Sequence, residues 1–468
     1  MKNLLLILII ALLSSSCKKD ELESGPLTAG SNQYINNWIY DNMEFYYYWS
    51  EELPTKKITT EDPESYFYNL LSPSDRFSWI QGDFDQLLSS LRGVNKEAGY
   101  EFILYRDPNS ENDIIGQISY IKSNSPAAKL NLQRGDLFDA INTISITIDN
   151  YQALLREITE NHTLNIRRYD FTSEIFEPLG TISFTTDIVA ENPILLDSVY
   201  EIGTNKVAYL VYNLFSVGSQ EDSQEYLAEM DAVFGSFKSQ GINKLIIDLR
   251  YNGGGAEAAT INLASLVGSN ISNQDIFVKR KYSKAFEAAL IERYGEIILN
   301  KYFVDKAENI GAQLENSEVI ILTSSRTASA SELLINGLQP YMNVFLIGDQ
   351  TVGKNVGSTT IYDEDDSENN YGMQPIITQS FNSNNSSDYE NGFAPNISTL
   401  DNSLRKKQLG DINEIMLASA LEYINNLARK DHDSPELNYE KLDLLFSSQE
   451  LKRNFGTYHI ESKKDDLY

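Results

Sequence analysis

The second half of the chain repeats a pattern of apolar strand followed by amphipathic helix, and this pattern restricts the fold more than any other feature. Four short runs rich in aliphatic residues lie at 207–215, 244–250, 319–322 and 344–347. Apolar residues recur at helical spacing between them, at 226–237, 256–267 and 330–338. Strands that lack polar alternation and are separated by helices predict a sheet covered by helices on its faces. The sequence therefore predicts an α/β domain at 188–430.

The length and composition of the chain limit its architecture and its partners. At 468 residues the chain is longer than one ordinary core requires, so we expect two or three domains. With 41% hydrophobic and 22% charged residues, the composition is that of a globular protein. The formal net charge of −29 disfavours nucleic acid as a partner, because phosphate contacts need clustered Lys and Arg.

The N-terminus has the pattern of an export signal. A short positive start precedes an apolar run at 4–13, which is too short to span a bilayer as a helix. Small residues then lead to Cys17, the single cysteine, so an internal disulfide and a cysteine-based metal site are excluded. This run resembles the lipobox of bacterial lipoproteins. The resemblance implies a signal peptide at 1–16, acylation of Cys17 and membrane anchoring of an exported cell-envelope protein. An ordinary secretory signal is the alternative.

A polar tether at 17–30 leads to an expected N-terminal helical domain at 31–84. Apolar residues from Tyr34 to Tyr46 recur at helical spacing, and a second helix is predicted from Asp62 to Leu71. The aromatic run at 45–49 favours a packed core over a carbohydrate or peptide platform.

Residues 90–187 are expected to form a second unit of short strands and one helix. The stretch at 125–142 contains a compact helix and then Arg134-Gly135-Asp136, a turn into a strand. It resembles the PDZ domains of bacterial envelope proteases, in which a loop of amides binds a peptide C-terminal carboxylate while the peptide pairs as an added strand. The resemblance places this loop at Gly99, Tyr100, Glu101 and Phe102. A PDZ fold that serves only as a scaffold is the alternative.

Two strand-to-helix turns of the α/β domain carry backbone amides suited to an oxyanion. The turn at 248–255 ends in three glycines whose amides are sterically unhindered. It lacks a Walker-type lysine and the spacing of a dinucleotide loop, which disfavours a phosphate site. The second turn places Ser329 at the beginning of a helix, where free amides stabilise a negative oxygen. We expect the donors to be Ala330 and Gly254 or its neighbours.

Ser329 and Lys354 are the pair of residues expected to carry the chemistry. The three histidines, at 162, 432 and 459, all lie far along the sequence from the other candidate motifs. A neutral lysine is then the base that can activate a serine. Since a free lysine has a pKa near 10.4, an apolar setting must lower that pKa by roughly three units. Helix capping is the alternative role for Ser329, and also for Glu332, which we expect to orient the serine helix or a backbone group.

The motif Thr327-Ala-Ser-Ala-Ser-Glu332, the pair Gly353-Lys354 and the glycine turn resemble those of the C-terminal processing (tail-specific) peptidases, the S41 family of serine proteases. The resemblance covers about residues 31–425. It implies a multidomain α+β fold with an N-terminal helical bundle, a PDZ-like β/α domain and a crotonase-like α/β protease domain. It also implies an endopeptidase without cofactor or metal, with Ser329 as nucleophile, Lys354 as base, and unfolded or C-terminally exposed polypeptides as substrates.

Several positions depart from the family pattern. Thr327 replaces a serine, Gly253 stands where proline is usual, and Asn355 follows the lysine. Ser358 occupies the position at which many members have a glutamine that orients the lysine, so Ser358 and Glu332 join Ser329 and Lys354 as catalytic candidates. Two alternatives for the whole chain are a non-catalytic peptide-binding lipoprotein and an enzyme of acyl-thioester chemistry. The lack of a basic phosphate site disfavours the second.

The segments beyond the lysine carry weaker signals. Residues 363–387 are rich in Asn, Ser and Asp and predict long surface loops. Residues 392–397 and 409–421 resemble the closing segment of the family, which ends in an amphipathic helix. The charged tail at 431–468 has no predicted role, and the sequence does not indicate an oligomeric state.

Overall fold

A computed structural model describes residues 27–57, 59–219, 222–427 and 442–451, together with the backbone of 458–459. The expected signal peptide, Cys17 and most of the segments 17–30 and 431–468 lie outside the described residues. Within the described ranges, every helix is too short or too polar to cross a bilayer.

The N-terminal part is helical and shares its core with a distant part of the chain. It comprises α1 (Asn32–Tyr46), α2 (Pro63–Leu70), the short strand β1 (Trp79–Gln81) and α3 (Phe84–Leu91). Asp62 caps α2 by accepting the amide of Ser65 at 3.0 Å. Buried aromatic residues of α1 and α2, such as Tyr46 and Phe67, lie in one cluster with Phe286 and Ile376. The helices therefore pack directly on the second half of the chain.

A second unit is built around an antiparallel sheet. Its elements are β2 (Val94–Glu97), β3 (Tyr100–Arg106), β4 (Ile114–Ile121), β5 (Leu137–Ile141), β6 (Ile144–Ser145), α4 (Tyr151–Glu157), β7 (His162–Asp170), β8 (Ile175–Phe184) and β9 (Asp187–Ala190). The sheet runs β3-β4-β5-β7-β8, with β6 paired to β5, while β2 pairs with β9. The compact helix expected after Ser125 is reduced to one 3₁₀ turn, Ala127–Lys129.

The α/β part contains the predicted parallel sheet. Its strands and covering helices are β10 (Ile194–Ile202), β11 (Asn205–Tyr212), α5 (Glu225–Gln240), β12 (Lys244–Asp248), β13 (Gly255–Ala256), α6 (Glu257–Val267), β14 (Ile276–Tyr282), α7 (Lys284–Tyr294), β15 (Asn300–Tyr302), β16 (Glu318–Thr323), α8 (Ala330–Leu338) and β17 (Asn343–Gly348). The last elements are β18 (Val356–Ser358), β19 (Gly372–Gln374), β20 (Ile376–Phe381), β21 (Ile397–Ser398), α9 (Ile415–Leu427), β22 (Leu444–Ser447) and β23 (Tyr458–His459).

Alternate residues of the central strands serve two cores. The sheet order is β10-β11-β12-β16-β17-β21, with β11 to β21 parallel and β10 antiparallel at the edge. Ile247 and Ile321 face a core made with α5, α6 and α8. Ile246 and Ile320 face the opposite core, which α9 covers. Burial on both faces explains why these strands read as continuous apolar runs.

A second sheet, in the order β13-β23-β18-β20-β14-β15, corrects one expectation. Residues 363–387 were expected to form surface loops, but they contain β19 and the buried strand β20. Ile376 and Ile377 are 0% and 2% exposed, because β20 pairs with β14 and β18 and packs on the N-terminal helices. The polar residues around this strand concealed it in the sequence.

Candidate active site

Ser329 lies in the turn between β16 and α8 and has an unusual backbone conformation. Its φ of 62° and ψ of −110° are strained for a residue that carries a Cβ. Hydroxyl groups hold the turn: Thr327 Oγ1 donates to the Leu249 carbonyl at 2.9 Å, and Ser331 Oγ donates to the Asn252 carbonyl at 3.1 Å. Because both acceptors lie in the stretch at 248–255, the two predicted turns are joined directly.

The Ser329 hydroxyl is buried and unbonded. The residue is 1% exposed, and its Oγ has no hydrogen-bond partner in the described part of the chain. A buried polar group without a partner costs about 1–3 kcal/mol. Stored strain and an unpaired hydroxyl at one residue are features of reactive positions. Ser329 is at the same time the N-cap residue of α8, with Glu332 at the N3 position of a capping box.

Glu332, on the first turn of α8, joins the serine turn to the lysine loop. The residue is 0% exposed. Its carboxylate accepts the amides of Ser329 at 2.8 Å, Gly353 at 2.7 Å and Lys354 at 2.8 Å, and the hydroxyl of Thr351 at 2.5 Å. Burial raises the pKa of Glu332 above 4.5, although these hydrogen bonds oppose the shift. One Glu332 oxygen, Oε2, binds both the Ser329 and Lys354 amides, so the two backbones are neighbours.

Lys354 is buried in surroundings that favour its neutral form. The residue is 3% exposed. Burial lowers its pKa from 10.5 to about 7, while the charges of Asp75 and Glu332 oppose the shift. The preceding Gly353 has a φ of +90°, and a Cβ there would lie 2.3 Å from the Glu390 carbonyl oxygen. The loop that presents the lysine therefore requires glycine at 353.

The cover of Lys354 comes from the N-terminal part, which sequence reasoning did not assign to the site. The Lys354 amine lies 5.0 Å from the centre of the Phe77 ring. Asp75 accepts the Phe77 amide at 2.8 Å, and Arg76 donates to the Val352 carbonyl at 3.3 Å. The sequence carries no motif that marks this turn; only its packing against Lys354 reveals its position in the site.

The glycine turn corrects one expected oxyanion donor. The Gly254 amide donates to Asn252 Oδ1 at 2.9 Å, so it is already engaged. Among the described residues, no hydrogen bond uses the amides of Gly253 and Ala330. Gly255 must be glycine because a Cβ there would lie 2.1 Å from the Phe215 carbonyl oxygen. The candidate donors are therefore Gly253 and Ala330.

A buried cluster of charged side chains holds the glycine turn through Arg250. Arg250 is 0% exposed and binds Asp248 at 2.7 Å and Glu414 at 2.6 Å. Arg134, from the turn predicted to belong to the PDZ unit, binds Asp401 at 2.8 Å and Glu414 at 3.3 Å. The cluster thus connects the second unit, the glycine turn and α9. Sequence reasoning missed it, because its members are spread over nearly 300 positions of the chain.

Ser358, the remaining catalytic candidate, lies in the second sheet, and His162 lies in the second unit. Ser358 is 1% exposed and ends β18, where its backbone pairs with Ile376 and with His459 of β23. The contacts described for Lys354 involve Phe77, Asp75 and Glu332, so the orienting role of Ser358 stays a prediction. His162 lies in the second unit, where its ring bonds the Tyr100 hydroxyl at 2.7 Å. No group of His, Cys, Asp or Glu in the described ranges is arranged to hold a metal ion.

The predicted carboxylate loop is largely strand. Gly99 alone forms the turn, with a φ of +87°, and Tyr100, Glu101 and Phe102 begin β3. The Phe102 amide donates to Ser448 Oγ at 2.8 Å. Residues of the chain itself therefore occupy this edge.

The fold and the site together define a multidomain α+β protein. A PDZ-type antiparallel sheet is attached to an α/β domain, in which a strained serine and a buried lysine share one carboxylate bridge.

Family models match three stretches of the chain. Residues 206–399 match peptidase family S41, residues 34–79 match the peptidase S41 N-terminal domain, and residues 117–168 match the PDZ domain. The chain therefore carries an S41 peptidase domain together with the N-terminal and PDZ domains that the sequence resemblance implied, and the mixed α+β fold is confirmed.

Individual proteins that are similar to the chain are also described as proteases. The chain is 26% identical over 255 residues to the carboxyl-terminal-processing protease of Picosynechococcus sp., which covers 53% of this chain and 52% of that protein. It is 21% identical over 251 residues to a CtpA-like serine protease, named as probable, of Staphylococcus saprophyticus, of which 44% is covered. The chain thus spans about half the length of these curated relatives. A crystal structure from Bacteroides fragilis, described as a candidate S41 protease, superposes with a TM-score of 0.69 and 26% identity, over 83% of this chain and 97% of that one.

Proposed function

We propose that the chain is a serine endopeptidase in which Ser329 is the nucleophile and Lys354 the general base. The observation that carries this proposal is the burial of Lys354, which lowers its pKa to about 7. At pH 7 about half of such lysines are neutral, against roughly one in a thousand for a lysine in water. A neutral amine beside the serine turn is a base that can activate a serine hydroxyl.

In the proposed reaction, Lys354 acts first as a base and then as an acid. Lys354 Nζ accepts the proton of Ser329 Oγ as that oxygen bonds to the carbonyl carbon of the substrate. The amides of Ala330 and Gly253 stabilise the oxyanion of the tetrahedral intermediate. The Lys354 ammonium then protonates the leaving amine, and the peptide C–N bond breaks. Water, deprotonated by Lys354, attacks the resulting serine ester, which releases the acid product and restores Ser329.

Glu332 is a positioning residue in this scheme. It binds backbone amides at the nucleophile and at the base, so it fixes both loops without accepting a proton from substrate. The charges of Glu332 and Asp75 would favour the ammonium form, and burial outweighs them. This balance keeps the pKa of Lys354 near the working pH of a general base.

Substitution of the nucleophile tests the proposal. The Ser329→Ala protein should hydrolyse an unstructured polypeptide at least about 10³-fold more slowly than the parent. The exposed Ser325, in the same turn, supplies a matched control, and its Ser→Ala variant should keep parental kcat. Parental turnover by Ser329→Ala would remove the nucleophile assignment. An inactive parent would favour the peptide-binding scaffold.

We further propose that the enzyme is anchored to a bacterial cell-envelope membrane through acylated Cys17. The support is the lipobox-like run that ends at Cys17, which lies outside the described residues. Cells that express the chain should incorporate labelled palmitate into it, and the Cys17→Ser protein should incorporate none. Equal labelling of the two proteins would exclude this anchor.

A further inference from the structure

The C-terminal segment, predicted as a charged tail without a role, supplies the edge strand of the PDZ sheet. β22 pairs antiparallel with β3, in the register Phe446 with Leu104 and Ser447 with Ile103. Two apolar residues fix the segment in place, one within β22 and one before it. Phe446 packs on the PDZ core, and Leu442 is buried beside Ile103. This is the edge on which an extended peptide would add to the sheet.

The chain runs through the expected carboxylate position without ending there. Ser448 is 5% exposed, and its hydroxyl accepts the Phe102 amide at 2.8 Å and donates to the Glu101 carboxylate at 2.5 Å. The next residue, Gln449, donates from its side chain to the Tyr251 carbonyl in the glycine turn of the active site. A neutral hydroxyl therefore stands where the resemblance places the terminal carboxylate of a ligand.

The charges around this position oppose a terminal carboxylate. The buried Lys122 amine binds three carboxylates, those of Glu97, Glu101 at 3.4 Å and Glu191 at 2.8 Å. Burial lowers the pKa of Lys122, but these charges outweigh it and hold the pKa well above its ordinary value. A ligand carboxylate in the position of the Ser448 hydroxyl would contact the Glu101 carboxylate directly, and the two like charges would repel each other. A serine hydroxyl satisfies the Phe102 amide and Glu101 without that repulsion.

The same segment also reaches the catalytic cleft. The backbone at 458–459 lies as strand β23 between β13, which ends the glycine turn, and β18, which follows Lys354. Leu451 and Tyr458 are seven positions apart, so at most about 25 Å separates them. One segment thus lies along the PDZ edge and then beside the oxyanion turn.

We propose that the β3 edge binds an internal, extended segment of substrate rather than a free C-terminus, and that residues 442–451 hold this place in the resting enzyme. The preferred ligand has an aromatic or aliphatic residue for the Phe446 position and a hydroxyl residue two places later for Glu101. Substrate must displace the segment from β3. Because the occupant belongs to the same chain, its effective concentration is on the order of millimolar, and weak substrates are excluded.

The part of this inference that concerns substrate rests on the proposed function. A peptide-binding assay therefore tests the inference independently of catalysis. The probe is a fluorescent peptide of residues 442–451 with acetyl and amide ends, measured by anisotropy in the Ser329→Ala background. Ser448→Asp adds a charge beside Glu101 and should release the segment, so this protein should bind the probe at least about tenfold more tightly. Ser239→Asp adds the same charge at an exposed position of α5, outside this segment, and should bind like the Ser329→Ala parent.

Two outcomes would overturn the proposal. One is equal affinity of the probe for all three proteins. The other is tighter binding of a peptide of residues 442–447 with a free carboxylate than of the capped decapeptide. Circular dichroism of each variant establishes that it is folded before binding is measured.

A reversible crosslink covers the case in which Ser448→Asp fails to fold. Ile103→Cys combined with Ser447→Cys should form a disulfide that holds β22 on β3 under oxidising conditions. In a chain with Ser329 intact, the oxidised protein should hydrolyse an unstructured polypeptide at least about tenfold more slowly, and reductant should restore the rate. The single Ile103→Cys protein controls for pairing with Cys17. An unchanged rate after oxidation would show that hydrolysis does not require the segment to leave β3, and would overturn the proposal.

Discussion

Glu332 binds the backbone of Lys354, with its Oε2 2.8 Å from the Lys354 amide nitrogen, and the same oxygen binds the Ser329 amide. A carboxylate thereby fixes the backbones of the proposed nucleophile and the proposed base relative to each other.

Replacing Glu332 by Gln should loosen this bridge. An amide offers one acceptor oxygen, and its NH₂ group would face the backbone donors that the carboxylate now accepts. We expect a fall in the free energy of unfolding of about 3 kcal/mol and a fall in kcat of at least about tenfold. Urea denaturation and steady-state kinetics measure the two effects. The exposed Glu292 provides the control, since Glu292→Gln should change neither quantity.

The rate should depend on pH through Lys354. Because the neutral amine is the proposed base and its pKa is about 7, kcat/KM should rise about tenfold per unit below pH 7 and level off above it. Initial rates between pH 5 and pH 9 with one polypeptide substrate give this profile. A rate that is independent of pH between 5 and 6.5 would contradict a lysine base.

Removing the Phe77 ring should shift that profile. Phe77→Ala admits water to Lys354, which reduces the effect of burial and raises the pKa of the lysine. The midpoint of the rate profile should move up by about one unit. Asp75→Asn should move it down, because the Asp75 charge favours the ammonium form. Tyr68→Ala, at a position that is 44% exposed, should leave the midpoint unchanged. Shifts of the same sign for Phe77→Ala and Asp75→Asn would contradict this assignment.

Lys354 should also reduce the stability of the fold. Its folded pKa, about 7, lies below the ordinary 10.5, so between these values the unfolded chain holds a proton that the folded chain lacks. The unfavourable contribution is absent above pH 10.5 and grows as pH falls, to about 5 kcal/mol below pH 7.

Lys354→Met should therefore unfold at higher urea than the parent at pH 6. The gap in free energy should shrink by about 1.4 kcal/mol for each pH unit above 7. Lys284→Met, at a side chain that is 88% exposed, should give a gap that does not change with pH. A Lys354→Met protein less stable than the parent at pH 6 would show that the ammonium is well solvated.

The elements of the α/β domain were predictable because local signals agreed with the tertiary fold. The helix predicted at 330–338 is α8. A serine and an acidic residue lie at its beginning, apolar residues follow them, and the whole helix is buried. The strand at 244–250 was placed correctly but ends at Asp248, since Arg250 turns into the ion cluster. Apolar periodicity reports burial, and here burial decided the secondary structure.

The missed features depend on contacts between distant parts of the chain. The sequence around β20 predicts a polar loop. Only the pairing with β14 and β18 identifies this stretch as a strand. Phe77 carries no catalytic motif, and only docking of the N-terminal helices places its ring over Lys354. The Gly254 amide looked free in the sequence, but the Asn252 side chain binds it. Composition and spacing report on residues that are close along the chain. These contacts join residues that are far apart along the chain and meet only in the folded protein.

Docking of the turn that carries Phe77 completes the buried surroundings of Lys354, and these surroundings exist only in the folded protein. In the unfolded polypeptide, Lys354 is an ordinary ammonium with a pKa near 10.4. Under the proposed mechanism, the unfolded polypeptide therefore lacks a neutral base at neutral pH and cannot cleave its neighbours.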